Sequence, residues 1–135
     1  MIRDGGQRAL RTVLYIEDNP ACVSLVEGLL EERPRVRLLS ADRGRLGLAL
    51  AREHRPDVIL LDLHLPDIEG TAVLRALRQD PALRDTPVIV LSAESDPNLP
   101  TKMLAAGVLA YLLKPFDFQR FFTVLDLSLA GVVGR

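Results

Sequence analysis

The chain has 135 residues, enough for one domain with its own apolar core, and 48% apolar against 26% charged residues excludes disordered and membrane-spanning compositions. Its 17 basic and 18 acidic residues leave a net charge of −1, so no basic field favours direct nucleic-acid contact. A lone cysteine, Cys22, excludes an internal disulfide and fits a reducing cytoplasm. No apolar run approaches the roughly 18 residues of a membrane span, and MIRDGGQRALR lacks a signal-peptide core.

Met1 to Arg11 is expected to be a flexible lead-in or linker, residues 12–130 the folded unit, and residues 131–135 a short tail with no output module after it. Val13 to Ile16 predicts a buried strand, and Asn19 followed by Pro20 predicts an N-cap and the first position of a helix. Along that helix Cys22, Leu25, Val26, Leu29 and Leu30 share one apolar stripe, which makes Cys22 a core residue before it is a reactive thiol. Val36 to Ala41 predicts a second strand. Asp42 is then expected to cap a helix carrying Leu46, Leu48, Leu50 and Ala51, weakened by Gly44 and Gly47 and stopped by Pro56.

Val58 to Asp62 is a nearly continuous apolar run, the pattern of a parallel strand buried on both faces, and it ends on a carboxylate. The loop LHLPDIEG leads into a helix through Val73, Leu74 and Leu77, and DPALRDTP breaks it. Val88 to Leu91 predicts the fourth strand, ending at Ser92. A helix with Leu99, Met103 and Leu104 follows, closed by Gly107, and Pro97 and Pro100 are expected to shorten it or disturb its first turn. Ala110 to Leu113 predicts the fifth strand, ending at Lys114. A last helix from Asp117 sets Phe118, Phe121, Phe122, Leu125 and Leu129 on one side.

Five strands alternating with five helices imply an α/β fold, a doubly wound parallel sheet with helices on both faces, and for a chain of this size the flavodoxin-like order 2-1-3-4-5 is expected. Ligands in such sheets bind outside the carboxyl ends of the strands. That edge would collect Glu17 and Asp18, Asp62, Ser92 and Lys114. A single strand-end acid is readily explained as solvated or as a helix cap. An adjacent pair after one buried strand and a lone acid ending another are harder to explain so, because exposed acids have no need to sit at strand termini. Three close carboxylates repel one another, and Mg²⁺, which prefers hard oxygen ligands, would relieve them. A carboxylate can attack phosphorus to form an acyl phosphate. Asp62 is the candidate nucleophile, with Lys114 as a fixed cation and Ser92 as a hydrogen-bond donor to a phosphoryl oxygen.

Those residues carry a resemblance. IEDN after the first strand, LLDLHLPDIEG around Asp62, SA after the fourth strand and YLLKPF at the fifth follow, in order and register, the pattern of the receiver domains of response regulators in two-component signalling, above all those appended to hybrid sensor histidine kinases. The resemblance implies the same strand order, a cis Lys114–Pro115 bond, and phosphoryl transfer to Asp62 from the phosphohistidine of a histidine kinase or phosphotransfer protein. It assigns Mg²⁺ to Glu17, Asp18, Asp62 and the backbone carbonyl of His64, whose ring would line the cleft mouth. Ser92 and Tyr111 match the family's switch pair, although Tyr111 also reads as a half-buried strand aromatic. The implied protein is a signalling domain and no ordinary enzyme.

The output surface would be the fourth helix, fifth strand and fifth helix. The last helix is apolar on more than one side, through Val124 and Leu127, so a homodimer or partner contact is expected there. Three rivals remain. A haloacid-dehalogenase-type phosphatase would need an acid where His64 stands; a flavodoxin-type FMN carrier would not place acids in its first loop; a passive docking module would not need the intact acids and lysine.

Overall fold

The computed structural model describes residues 10–131, so residues 1–9 of the expected lead-in and 132–135 of the expected tail lie outside it. The alternating pattern is realised as β1 (Arg11–Ile16), α1 (Pro20–Leu30), β2 (Val36–Ala41), α2 (Gly44–His54), β3 (Val58–Leu61), α3 (Gly70–Gln79), β4 (Val88–Ser92), α4 (Leu99–Ala105), β5 (Ala110–Leu113) and α5 (Phe118–Leu129). The strands form one parallel sheet in the order β2-β1-β3-β4-β5, as predicted.

Successive side chains on a strand face opposite ways, so each strand feeds two cores. Leu14, Ile16, Ile59, Leu61, Val88 and Val90 join Leu48, Ala51, Val73, Leu74 and Leu77 of α2 and α3. Val13, Tyr15, Val58, Leu60, Ile89 and Leu91 join Val26, Leu29, Phe121, Leu125 and Leu129 of α1 and α5. Every residue of β3 and β4 is buried, which is why these runs are apolar without alternation. Each fully buried aliphatic side chain is worth about 1.5–3 kcal/mol, so the two cores fix the sheet and hence the positions at its carboxyl edge. From β1 the chain passes to β2 on one side, and β3 lies on the other; the loops after β1 and β3 diverge and leave a cleft.

Several local expectations are corrected. β1 begins at Arg11 because Asp57 holds that end, taking the Arg11 guanidinium at 3.0 Å and the Thr12 N–H at 2.7 Å. Asp42 does not cap α2; its carboxylate pairs with Arg43, and the free N–H groups of Gly44 and Arg45 donate to Asp67, at 2.7 and 2.9 Å, from the loop before α3. Gly44 and Gly47 are contact points and no mere weakness: a Cβ would come within 2.5 Å of Ile68 Cγ1 and Ile16 Cδ1 respectively. Leu25 and Phe118 leave their expected apolar stripes and are 44% and 46% exposed. The Asn19 cap with Pro20 is as predicted, its Oδ1 accepting from the Ala21 N–H, and α4 is short, as Pro97 and Pro100 require. Gly107 follows α4 at φ 98°, a left-handed conformation that suits glycine. Among the described residues no helix is long and apolar enough to cross a membrane.

Candidate functional site

Strands β1, β3, β4 and β5 deliver polar groups to the carboxyl edge. Glu17 and Asp18 follow β1, Asp62 follows β3, Ser92 ends β4 and Lys114 follows β5. Glu17, Asp62 and Ser92 are buried and Asp18 is exposed. One carboxylate oxygen from each of Glu17, Asp18 and Asp62 lies within 4.8 Å of the others. Gly70 lets α3 approach the segment just after β3, since a Cβ there would sit 2.5 Å from the Asp62 carbonyl oxygen and 2.6 Å from Leu63 Cα. The predicted constellation is thus brought together, although its members are scattered along the chain.

Glu17 is the most constrained of the acids. Its Oε1 accepts from the Tyr15 hydroxyl at 3.1 Å and from the Lys114 ammonium, and Oε2 accepts from the Asn19 N–H at 3.2 Å. Burial would raise its pKa, but the hydrogen bond and charge of Lys114 outweigh burial and hold Glu17 below the usual carboxylate range. The same contact, with the charge of Asp62, outweighs the burial of Lys114 and keeps its ammonium above its ordinary pKa. Asp62 moves the other way: burial, then the negative charge of Glu17, push it up to about 6. Burial first, then Glu17, hold the Tyr15 phenol far above its normal range, so it stays a donor.

That imbalance is the test of fit for a cation. A set of three hard oxygen donors, one of them driven toward protonation by burial and its neighbour, suits a small divalent ion that replaces the proton. Lys114 supplies one positive charge, which leaves two of the three negative charges uncompensated when all three acids are ionised. The Lys114–Pro115 bond is cis, as the resemblance implies.

The remaining predicted residues meet at Glu94, which sequence reasoning missed. Ser92 Oγ accepts from the Glu94 N–H at 3.0 Å, which leaves its own proton to donate, and the Tyr111 hydroxyl donates to the Glu94 carbonyl at 2.8 Å. Tyr111 is 7% exposed, so the reading as a half-buried strand aromatic gives way to a buried one. His64 projects into solvent, and its Nε2 lies 3.2 Å from a Glu94 carboxylate oxygen across the cleft mouth. Tyr15 was missed too, yet it carried a signal: residues two apart on a strand share a face, so a tyrosine two before Glu17 points the same way.

A doubly wound parallel sheet with three acids, a serine and a lysine gathered at its carboxyl edge puts the chain in the class of flavodoxin-like α/β domains with an acidic cleft. The family model described as the response regulator receiver domain matches residues 13–126, and the chain belongs to that family. It is 35% identical over 111 residues to the polar-differentiation response regulator DivK of Brucella anthropi, covering 82% of this chain and 89% of DivK. It is also 33% identical over 114 residues to the signal transduction histidine-protein kinase BarA of Shigella flexneri, covering 84% of this chain but only 12% of that kinase. Among solved structures, the receiver domain of a sensor histidine kinase from Pseudomonas aeruginosa, with a magnesium ion coordinated in its active-site cleft, matches with TM-score 0.80 and 29% identity over 90% of this chain and 99% of the other. The chain is therefore a receiver domain of two-component signalling.

Proposed function

We propose that this receiver takes a phosphoryl group from phosphohistidine onto Asp62, in the presence of Mg²⁺, and transmits the change through α4, β5 and α5. The observation that carries this is the meeting of the Glu17, Asp18 and Asp62 carboxylates within 4.8 Å beside the Lys114 ammonium, at the carboxyl edge of the sheet. A carboxylate oxygen of Asp62 forms a bond to phosphorus while the phosphorus–nitrogen bond to the donor imidazole breaks and the imidazole nitrogen takes back the electron pair. Lys114 leaves Glu17 to face the negative charge on the transferred oxygens, and Ser92 turns its hydroxyl proton toward one of them. Bound Mg²⁺ supplies compensating positive charge for the acids and the phosphoryl oxygens; Glu17, Asp18, Asp62 and the His64 backbone carbonyl would hold it. Hydrolysis of the acyl phosphate by water returns the domain to its starting state.

The signal leaves through Glu94. When Ser92 turns to the phosphoryl group its oxygen releases the Glu94 N–H, and the loop that Tyr111 grips by its hydroxyl is freed to move. On the face beyond, Leu104 and Leu113 are 51% and 48% exposed, a surface suited to a downstream partner or a second copy of this chain. The donor is a histidine kinase or histidine phosphotransfer protein. An apolar cavity of about 380 Å³, lined by Cys22, Leu25, Phe116 and Phe118 beside Lys114, offers it a contact at the cleft. The protein works in the cytoplasm, either alone or as the receiver of a hybrid kinase, and makes no direct nucleic-acid contact. The phrases LYIEDNP and HRPDVILLDLHLPDIEG favour the hybrid-kinase setting.

Beryllofluoride, which mimics an acyl phosphate, tests the site by NMR. Saturable shifts at Ser92, Glu94 and Tyr111 that need Mg²⁺ and vanish in Asp62→Asn are expected. Shifts that persist without Mg²⁺, or in the variant, would place the chemistry elsewhere.

A further inference from the structure

Tyr15 carries the one polar atom on a side chain among the fully buried residues Val13 to Ile16 of β1. Its ring is fully buried among the apolar side chains of the α1 and α5 face, yet its hydroxyl reaches Glu17 Oε1 at 3.1 Å. Packing alone does not call for that hydroxyl, because phenylalanine would fill nearly the same space without burying a polar atom. The two other donors to Glu17 are the Asn19 backbone N–H on Oε2 and the Lys114 ammonium on Oε1. These three donors differ in freedom. The Asn19 N–H belongs to the cap of α1, and the Tyr15 ring is fully buried in the apolar cluster under α1 and α5. Lys114 carries its charge on a flexible four-carbon stem.

Phosphoryl transfer requires Lys114 to leave Glu17 for the incoming oxygens. Glu17 Oε1 would then keep one partner, the Tyr15 hydroxyl. We infer that Tyr15 is a positioning residue: its hydroxyl keeps the Glu17 carboxylate turned toward the cation site when Lys114 transfers to the phosphoryl group. This rests on the reading of Glu17 as a Mg²⁺ ligand given under Proposed function. Tyr15 touches neither the ion nor phosphorus; it acts through the carboxylate, as outer partners that orient a metal's ligands do.

Two measurements on the full chain test this. Isothermal titration with MgCl₂, in the absence of any phosphodonor, compares the natural protein with Tyr15→Phe. A dissociation constant about 10-fold or more weaker is expected in the variant, the size of effect that follows loss of a ligand's orienting hydrogen bond. With acetyl phosphate as donor, the Mg²⁺ concentration for half-maximal phosphorylation rises in parallel while the rate at saturating Mg²⁺ is retained. A purely structural tyrosine would lower the unfolding temperature without moving the Mg²⁺ midpoint. An unchanged or tighter Mg²⁺ affinity in folded Tyr15→Phe overturns the assignment.

Should Tyr15→Phe fail to fold, the natural protein still decides the matter. It has 2 tyrosines, Tyr15 and Tyr111, so labelling tyrosine at the ring carbon that bears the hydroxyl gives two resolvable NMR signals. The Tyr15 signal moves saturably with Mg²⁺ if the hydroxyl follows the ligand, and stays still at saturation if it does not. A natural protein that binds no Mg²⁺ refutes the proposed function itself, whereas equal binding by the natural protein and Tyr15→Phe refutes only the role of Tyr15.

Discussion

Asp62→Asn is expected to stabilise the metal-free protein. Burial and the charge of Glu17 raise Asp62 from 3.8 to about 6. A carboxyl whose pKa is higher in the folded state holds its proton more tightly there than in the unfolded chain. Its favourable contribution is complete below about pH 4 and is lost as pH rises through about 6. A shift of roughly two units makes the ionised carboxylate cost about 3 kcal/mol at pH 7.5. Asparagine keeps the shape and carries no charge, so urea or thermal unfolding in EDTA at pH 7.5 should show a gain of about that size, roughly 10 °C in Tm. At pH 4.5 the gain should shrink to about 1 kcal/mol, because Asp62 is by then protonated in the fold. Added Mg²⁺ should close the gap from the other side, stabilising the natural protein by about 2.7 kcal/mol at a hundredfold excess over its Kd and the variant far less. A variant no more stable than the natural protein at pH 7.5, or a gain that does not fall with pH, would refute the claim that Asp62 is held ionised against burial and repulsion.

Three further outcomes follow from named contacts. Gly70→Ala should destabilise the protein by about 1–3 kcal/mol in urea unfolding, because the new Cβ meets backbone at Asp62 and Leu63; a gain of stability, as helix propensity alone would give, would refute that close approach. Asp67→Ala should speed amide hydrogen exchange at Gly44 and Arg45 and lower Tm, whereas Asp42→Ala leaves both unchanged; the reverse pattern would restore Asp42 as the cap of α2. Ser92→Ala should retain phosphorylation by acetyl phosphate but lose the shifts at Glu94 and Tyr111 in NMR spectra, and an unaltered response would remove Ser92 from the signal path.

The parts of this domain that were legible in its sequence are those written in local spacing. The apolar runs of β3 and β4, the Asn19–Pro20 cap and the glycine after α4 each encode their structure within a few residues, and the parallel sheet follows from the alternation of strands and helices. The carboxyl-edge rule then collected Glu17, Asp18, Asp62, Ser92 and Lys114 without any contact being known. What escaped depends on distance along the chain. Asp67 caps a helix that begins 23 residues earlier, and Gly44 and Gly47 are small because Ile68 and Ile16 press on them. Leu25 and Phe118 match the helical stripe but lie at its margin, where the other described residues leave them 44% and 46% exposed. Glu94 was invisible because its significance lies in three partners, Ser92, Tyr111 and His64, that meet only in the fold.

The central claim is that Asp62 is the phosphoryl acceptor of a Mg²⁺-dependent cleft. Incubation of the full chain with acetyl phosphate, followed by intact-mass measurement and reductive trapping of the acyl phosphate before peptide mapping, tests it most directly. The expected result is a single added phosphoryl group that maps to Asp62, requires Mg²⁺, and is absent from Asp62→Asn. Label on another residue, label without Mg²⁺, or undiminished label in Asp62→Asn would contradict it.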